Sequence, residues 1–273
     1  QAIADTLNND IKDYPVRAYN ANEIVVSVGA KQALCNAIEA LIGPDDEVIM
    51  PTPCWVSYVE MVKIAQGKSV IVKTTMEDNF CLTAAQLEAA ITPKTKLLML
   101  CSPNNPTGSV YTLENLKALV EVLKRHPQVN VLADEIYQHI LYTGKHETLA
   151  QFPELEDRLI IINGVSKAYA MTGYRIGWLA CHDKDLITAV KRLQGQTISC
   201  ATTIAQKAAE AAYTGPQECV EEMRQAFERR RNLIVGLAKE IPGMKVLEPQ
   251  GAFYLFPDVS AYFGKQYQGH TIH

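Results

Sequence analysis

The sequence holds 273 residues, 48% of them apolar, with 26 basic against 30 acidic side chains and a formal net charge of −4. That balance excludes a disordered chain, which lacks apolar residues, and speaks against a nucleic-acid binder, which carries a basic excess. No run approaches the roughly 18 uncharged apolar residues of a membrane span, and the length suits one large domain with or without part of another.

The chain opens without a basic-then-apolar leader pattern. Its seven cysteines (Cys35, Cys54, Cys81, Cys101, Cys181, Cys200, Cys219) are scattered, odd in number and free of any C-x-x-C pair. This cysteine usage fits a reducing, cytoplasmic setting in which the thiols act as small hydrophobes.

From the N-terminus, residues 2–14 read as an amphipathic helix already under way. Gln1 and residues 267–273 look like cut ends, so a piece of a longer chain is expected. Short runs rich in Val, Ile and Leu then recur at 24–28, 47–50, 69–73, 96–101, 129–133, 159–163 and 176–181. Several are apolar on both faces, the mark of strands in a sheet covered on each side. Helical spacing between them predicts helices over 31–42, 55–66, 83–90, 112–126 and 184–194, with Thr83 and Thr112 as N-caps. This alternation predicts an α/β fold: a mainly parallel central sheet with helices on both faces.

After Ile198 the pattern turns helical, with an Ala-rich segment at 202–213 and a long helix from Pro216 to about Glu240. Beyond Pro242-Gly243, residues 244–256 alternate in the manner of a strand. The expected organisation is a large domain over 1–233 and the beginning of a smaller α+β domain over 234–273. Arg229, Arg230 and Arg231 fall on the long helix, where a solvated face is expected.

Four stretches carry chemistry. In Ser166-Lys167-Ala168-Tyr169-Ala170-Met171-Thr172-Gly173-Tyr174-Arg175-Ile176-Gly177, a lysine follows a buried strand and an arginine stands eight positions on. A partly desolvated lysine loses some of its affinity for the proton, and its neutral amine can form a Schiff base with an aldehyde. The arginine offers a planar fork suited to phosphate. Aldehyde capture beside a phosphate anchor describes a site for pyridoxal 5′-phosphate (PLP), although by spacing alone both side chains also fit a solvent-facing surface. In Val131-Leu132-Ala133-Asp134-Glu135-Ile136-Tyr137, Asp134 closes an apolar strand where open α/β sheets place ligands. It could hold a pyridine nitrogen protonated, or simply cap a helix. Ser102-Pro103-Asn104-Asn105-Pro106-Thr107-Gly108 is a rigid turn that could present the Asn105 amide to a ligand, or serve as a plain turn. Ser27-Val28-Gly29-Ala30-Lys31-Gln32 passes from strand to helix through glycine, a local anion site without the G-x-x-x-x-G-K-[ST] of a nucleotide loop.

Taken in order, these four motifs resemble the class I aminotransferases of the fold-type I PLP enzymes, and most of all the bacterial aspartate aminotransferases. The resemblance extends to Asp45-Asp46-Glu47-Val48-Ile49 and Pro51-Thr52-Pro53-Cys54-Trp55-Val56-Ser57-Tyr58, with Cys54 where an aromatic is common. It implies that Lys167 bears the cofactor and shuttles the substrate proton, and that Asp134 pairs with the pyridine nitrogen. Tyr137 and Asn105 would bond the ring's phenolic oxygen, and Trp55 would stack on the ring. Arg175 with the Gly29-Ala30-Lys31 backbone would hold the phosphate. Trp55, Asn105 and Lys31 would also meet substrate, Lys31 through the distal carboxylate of a dicarboxylic acid.

The implied reaction is transamination between L-aspartate and 2-oxoglutarate in a homodimer, with neither nucleic acid nor membrane as partner. Aromatic or neutral amino acids on the same scaffold, or a non-catalytic PLP-binding module, are the alternatives. A nicotinamide-binding domain is excluded by the lack of a strand–G-x-G-x-x-G–helix unit. His126, His139, His146 and His182 are isolated and His270 and His273 stand three apart near the end, so no metal site is expected.

Overall fold

The computed structural model describes residues 1–272. Its main sheet contains β1 (Ile24–Val28), β2 (Glu47–Thr52), β3 (Lys68–Lys73), β4 (Thr95–Cys101), β5 (Asn130–Asp134), β6 (Leu159–Gly164) and β7 (Ile176–Ala180), in the spatial order β1-β7-β6-β5-β4-β2-β3. The pairs β2–β3, β2–β4, β4–β5 and β5–β6 are parallel. β7 runs antiparallel to both β6 and β1, so the expected mainly parallel sheet carries one reversed strand.

The helices are α1 (Ala2–Ile11), α2 (Ala30–Leu41), α3 (Ser57–Ile64), α4 (Ala84–Ala90), α5 (Leu113–Arg125), α6 (Lys184–Thr197), α7 (Thr203–Thr214) and α8 (Glu218–Lys239). Side chains alternate across a strand, and the sheet uses this to build two cores. From β4, Leu98 and Leu100 join α1, α4 and α5, while Leu97, Met99 and Cys101 join α2, α3 and α6 on the opposite face. β6 divides in the same way, with Ile161 on the first side and Ile160 and Ile162 on the second. Both threonine caps form as read: Thr83 Oγ1 accepts from the Gln86 N–H and Thr112 Oγ1 from the Asn115 N–H, each closing a capping box.

Two expectations need correction. Residues 244–256 form no strand; they make only isolated bridges, Lys245 with Asp258 and Gly251 with Leu141, and the later strands β8 (Gln266–Tyr267) and β9 (His270–Thr271) pair only with each other. Arg231 is not solvated: its side chain is 9% exposed, lies over the Tyr142 ring and donates to the Pro249 carbonyl at 2.8 Å. Arg229 and Arg230 are exposed. Cys181 follows the reversed β7 and so lies at the end of the sheet opposite the C-terminal ends of β4, β5 and β6, where its N–H bonds the Glu23 carbonyl.

Among the described residues no helix is long and apolar enough to cross a membrane. No group of three metal-binding side chains comes together among them either, His273 lying outside the described residues.

Candidate active site

Asp134 ends β5 on the same face as Leu132, as the strand's period demands, and therefore points toward α2 and α3. There, at the C-terminal ends of β4, β5 and β6, a cavity of about 260 Å³ opens. It is small on the scale of ligand pockets, suited to a single substituted ring rather than a dinucleotide. Its walls include Ala30, Lys31, Trp55, Asn105, Asp134, Tyr137, Lys167 and Arg175. Eight of the nine predicted residues thus converge, and the ninth, Gly29, caps the helix that carries Ala30 and Lys31.

Asp134 is buried, with two donors on its carboxylate: the Tyr58 hydroxyl at 2.6 Å on Oδ2 and the Ile136 N–H at 3.2 Å on Oδ1. Burial nevertheless raises its pKa to about 6, against the opposing effect of those donors. Lys167 sits in the turn after β6. Its Nζ lies 5.5 Å from the Phe253 ring centre and 5.8 Å from that of Tyr137, and no hydrogen-bond partner meets it among the described residues. Burial, and then the positive charge of Arg175, lowers the lysine's pKa, with Asp134 pulling the other way. The cleft therefore holds an unengaged amine with a weakened hold on its proton.

The anion-binding corner is built by close approach. Gly29 caps α2 at φ +79°, and a Cβ there would lie 2.4 Å from Arg175 Nη2. A Cβ on Gly177 would lie 2.1 Å from the Ala30 nitrogen, so only glycine lets the first turn of α2 rest on β7. Arg175 itself adopts the left-handed conformation, φ 55° and ψ 50°, rare for a residue with a side chain and typical of functional corners. Its Nη1 donates to the Thr172 carbonyl at 2.8 Å, and no carboxylate pairs with it among the described residues. The opening N–H groups of α2 have no acceptor within the helix, so guanidinium and helix terminus together present positive charge to one point.

On the remaining wall, Lys31 Nζ lies 4.7 Å over the Trp55 ring. Asn105 Nδ2 reaches the hydroxyls of Tyr137 at 3.5 Å and Tyr254 at 3.2 Å. Cys101 also lines the cavity; burial pushes its thiol far up, so it stays protonated and inert.

Sequence reasoning missed Tyr58 and Tyr254. Tyr58 stands in a motif quoted for its resemblance, but its partner is 76 positions away. Tyr254 follows α8 in Gly251-Ala252-Phe253-Tyr254, where the only signal was an alternation read as a strand.

Comparison with known proteins identifies the family. A family model described as aminotransferase class I and II matches residues 1–268. An aspartate aminotransferase of Geobacillus stearothermophilus is 51% identical over 242 residues, 88% of this chain and 61% of its own length. A bifunctional aspartate aminotransferase and glutamate/aspartate-prephenate aminotransferase of Petunia hybrida is 43% identical over 272 residues, 98% of this chain and 56% of its own. The crystal structure of the Rhizobium meliloti aspartate aminotransferase superposes with a TM-score of 0.92 at 42% identity, over 96% of this chain and 65% of that one. The chain thus spans less than two thirds of these relatives' length. With a match along almost its entire sequence and the same sheet, it belongs to the class I and II aminotransferases.

Proposed function

We propose that this chain is the greater part of a PLP-dependent aminotransferase acting between an amino acid, L-aspartate first, and a 2-oxo acid, 2-oxoglutarate first. The observation that carries the reading is the meeting in one small cavity of an unengaged lysine amine, a buried carboxylate and an unpaired arginine beside a glycine-capped helix.

These residues fit the cofactor at each of its polar ends. Arg175 and the first turn of α2 would bind the phosphate. Asp134 would hold a proton on the pyridine nitrogen, its lone pairs oriented by Tyr58 and the Ile136 N–H. Asn105 and Tyr137 would donate to the phenolic oxygen, and Trp55 would cover one face of the ring. When bound, PLP supplies an electron sink that stabilises negative charge at the substrate's Cα. Lys167 Nζ would hold the aldehyde end and, once free, take and return the proton at Cα. Its lowered pKa suits that exchange, since a base works best when its pKa lies near the working pH.

Lys31, across the Trp55 ring, would select a second carboxylate, and the names of the relatives support aspartate. A homodimer and a cytoplasmic setting complete the proposal, as does a division at residue 233 with α8 crossing between the two parts.

Treating the chain with PLP, reducing with borohydride and mapping the labelled peptide tests the reading. Label on Lys167 is expected; none, or label elsewhere, overturns it. Aspartate should then discharge the visible band of unreduced protein at lower concentration than phenylalanine does.

The anion corner gives a separate expectation. Gly29→Ala forces a Cβ into the Arg175 guanidinium at a φ unfavourable to alanine. PLP affinity measured by equilibrium titration should fall about tenfold, equivalent to about 1.4 kcal/mol, while pyridoxal without the phosphate should lose much less.

A further inference from the structure

One phenol in the cleft has no part in the roles assigned above. The Tyr254 hydroxyl oxygen lies 2.6 Å from that of Tyr137 and 3.2 Å from Asn105 Nδ2. Those two groups are the ones assigned to the ring's phenolic oxygen. Asn105 donates an amide hydrogen to Tyr254, and either phenol can be the donor across the 2.6 Å contact between the two hydroxyls. The arrangement in which Tyr254 donates leaves the Tyr137 proton free to face an acceptor in the cleft. Burial above all keeps that proton in place, raising the Tyr137 phenol well above its ordinary value. Donors linked in series polarise one another, so the terminal one is strengthened.

The backbone fixes this arrangement. The N–H groups of Gln250 and Gly251 bond the Gly108 carbonyl at 2.9 and 3.0 Å, and that of Ala252 bonds the Ile140 carbonyl at 2.8 Å. The Tyr142 hydroxyl donates to the Ala252 carbonyl. Tyr254 is therefore tied to the turn that carries Asn105 and to the turn that follows Tyr137, while its ring meets that of Tyr137 edge-on at 5.7 Å.

We propose that Tyr254 is a positioning residue for the reaction: it donates to Tyr137, aims that residue's proton at the phenolic oxygen of the bound ring and strengthens it as a donor. The inference rests on the PLP reading above. With the ring bound, a phenolic oxygen that receives a strong donor would carry less negative charge and would hold a proton shared with Lys167 Nζ less tightly.

The test is the pH midpoint of the visible band in the PLP-loaded chain, after borohydride mapping has located the label. Tyr254→Phe, which keeps the ring's packing, should raise the midpoint by about half a pH unit, a threefold change in proton affinity. Tyr137→Phe should raise it further. The double variant should match Tyr137→Phe alone, because the second hydroxyl acts only through the first. Absence of label in the unaltered chain sinks the cofactor reading and this one together. Label on Lys167 with an unmoved midpoint in Tyr254→Phe, or with additive shifts in the double variant, sinks this one alone.

Discussion

Replacing Lys167 with alanine is expected to abolish borohydride-stable labelling by PLP and to lower transamination by about 10⁴-fold, the upper range for losing a positioned general base. The cavity supplies no substitute. Among its lining residues Lys31 is the other lysine, and it sits over Trp55, across the cleft from the turn after β6. The Arg175 guanidinium stays protonated in proteins and cannot serve as a base. Folding should survive, since Nζ makes no hydrogen bond among the described residues and an ion pair is not lost with it. Mass mapping of the reduced protein and a thermal melt of the same sample check both halves of the expectation. Label persisting in the variant would show that the amine lies elsewhere.

Asp134→Asn should lower transamination by about 10²–10⁴-fold, in keeping with about 3–5 kcal/mol for breaking a buried charged pair. The amide keeps one acceptor for Tyr58 or Ile136 but has no charge with which to hold a proton on the ring nitrogen. Label on Lys167 should remain, because the aldehyde end is bound by a different residue. The same variant carries a stability signature in the cofactor-free chain. Burial raises Asp134 from 3.8 to about 6, so between those values the folded form binds a proton that the unfolded form has released. Its contribution to stability is full below pH 4 and is lost as pH rises through 6. Thermal midpoints of the wild-type chain should show that downward component between pH 4 and 6, and Asp134→Asn should lack it.

The strands were legible because burial on both faces leaves continuous apolar runs, as in Leu97–Cys101 and Leu159–Ile162. The Lys167, Asp134, Asn105 and Gly29 stretches were legible because each follows such a strand directly, and sheet topology brings strand ends together. The hydroxyl of Tyr58 on Asp134 and that of Tyr254 on Tyr137 join residues 76 and 117 positions apart, and pairing at that range leaves no periodic trace. Residues 244–256 misled for a related reason. At their centre the N–H groups of Gln250, Gly251 and Ala252 bond the Gly108 and Ile140 carbonyls rather than a neighbouring strand, and Gly251 packs where a Cβ would lie 2.6 Å from the Pro103 ring. Alternating polarity then reflects a chain wedged between two turns.

The backward course of β7 has one more effect. Because it pairs with β6 through Gly164 opposite Gly177, the amine of Lys167 and the guanidinium of Arg175 both hang from one short excursion between adjoining strands. Slippage by a single position would swing Arg175 and Gly177 out of place together and unseat the glycine step on which α2 rests. The gap between the covalent hook and the anion grip is thus ruled off by a ladder of main-chain bonds, and mutation elsewhere in the molecule has little leverage to lengthen or shorten it.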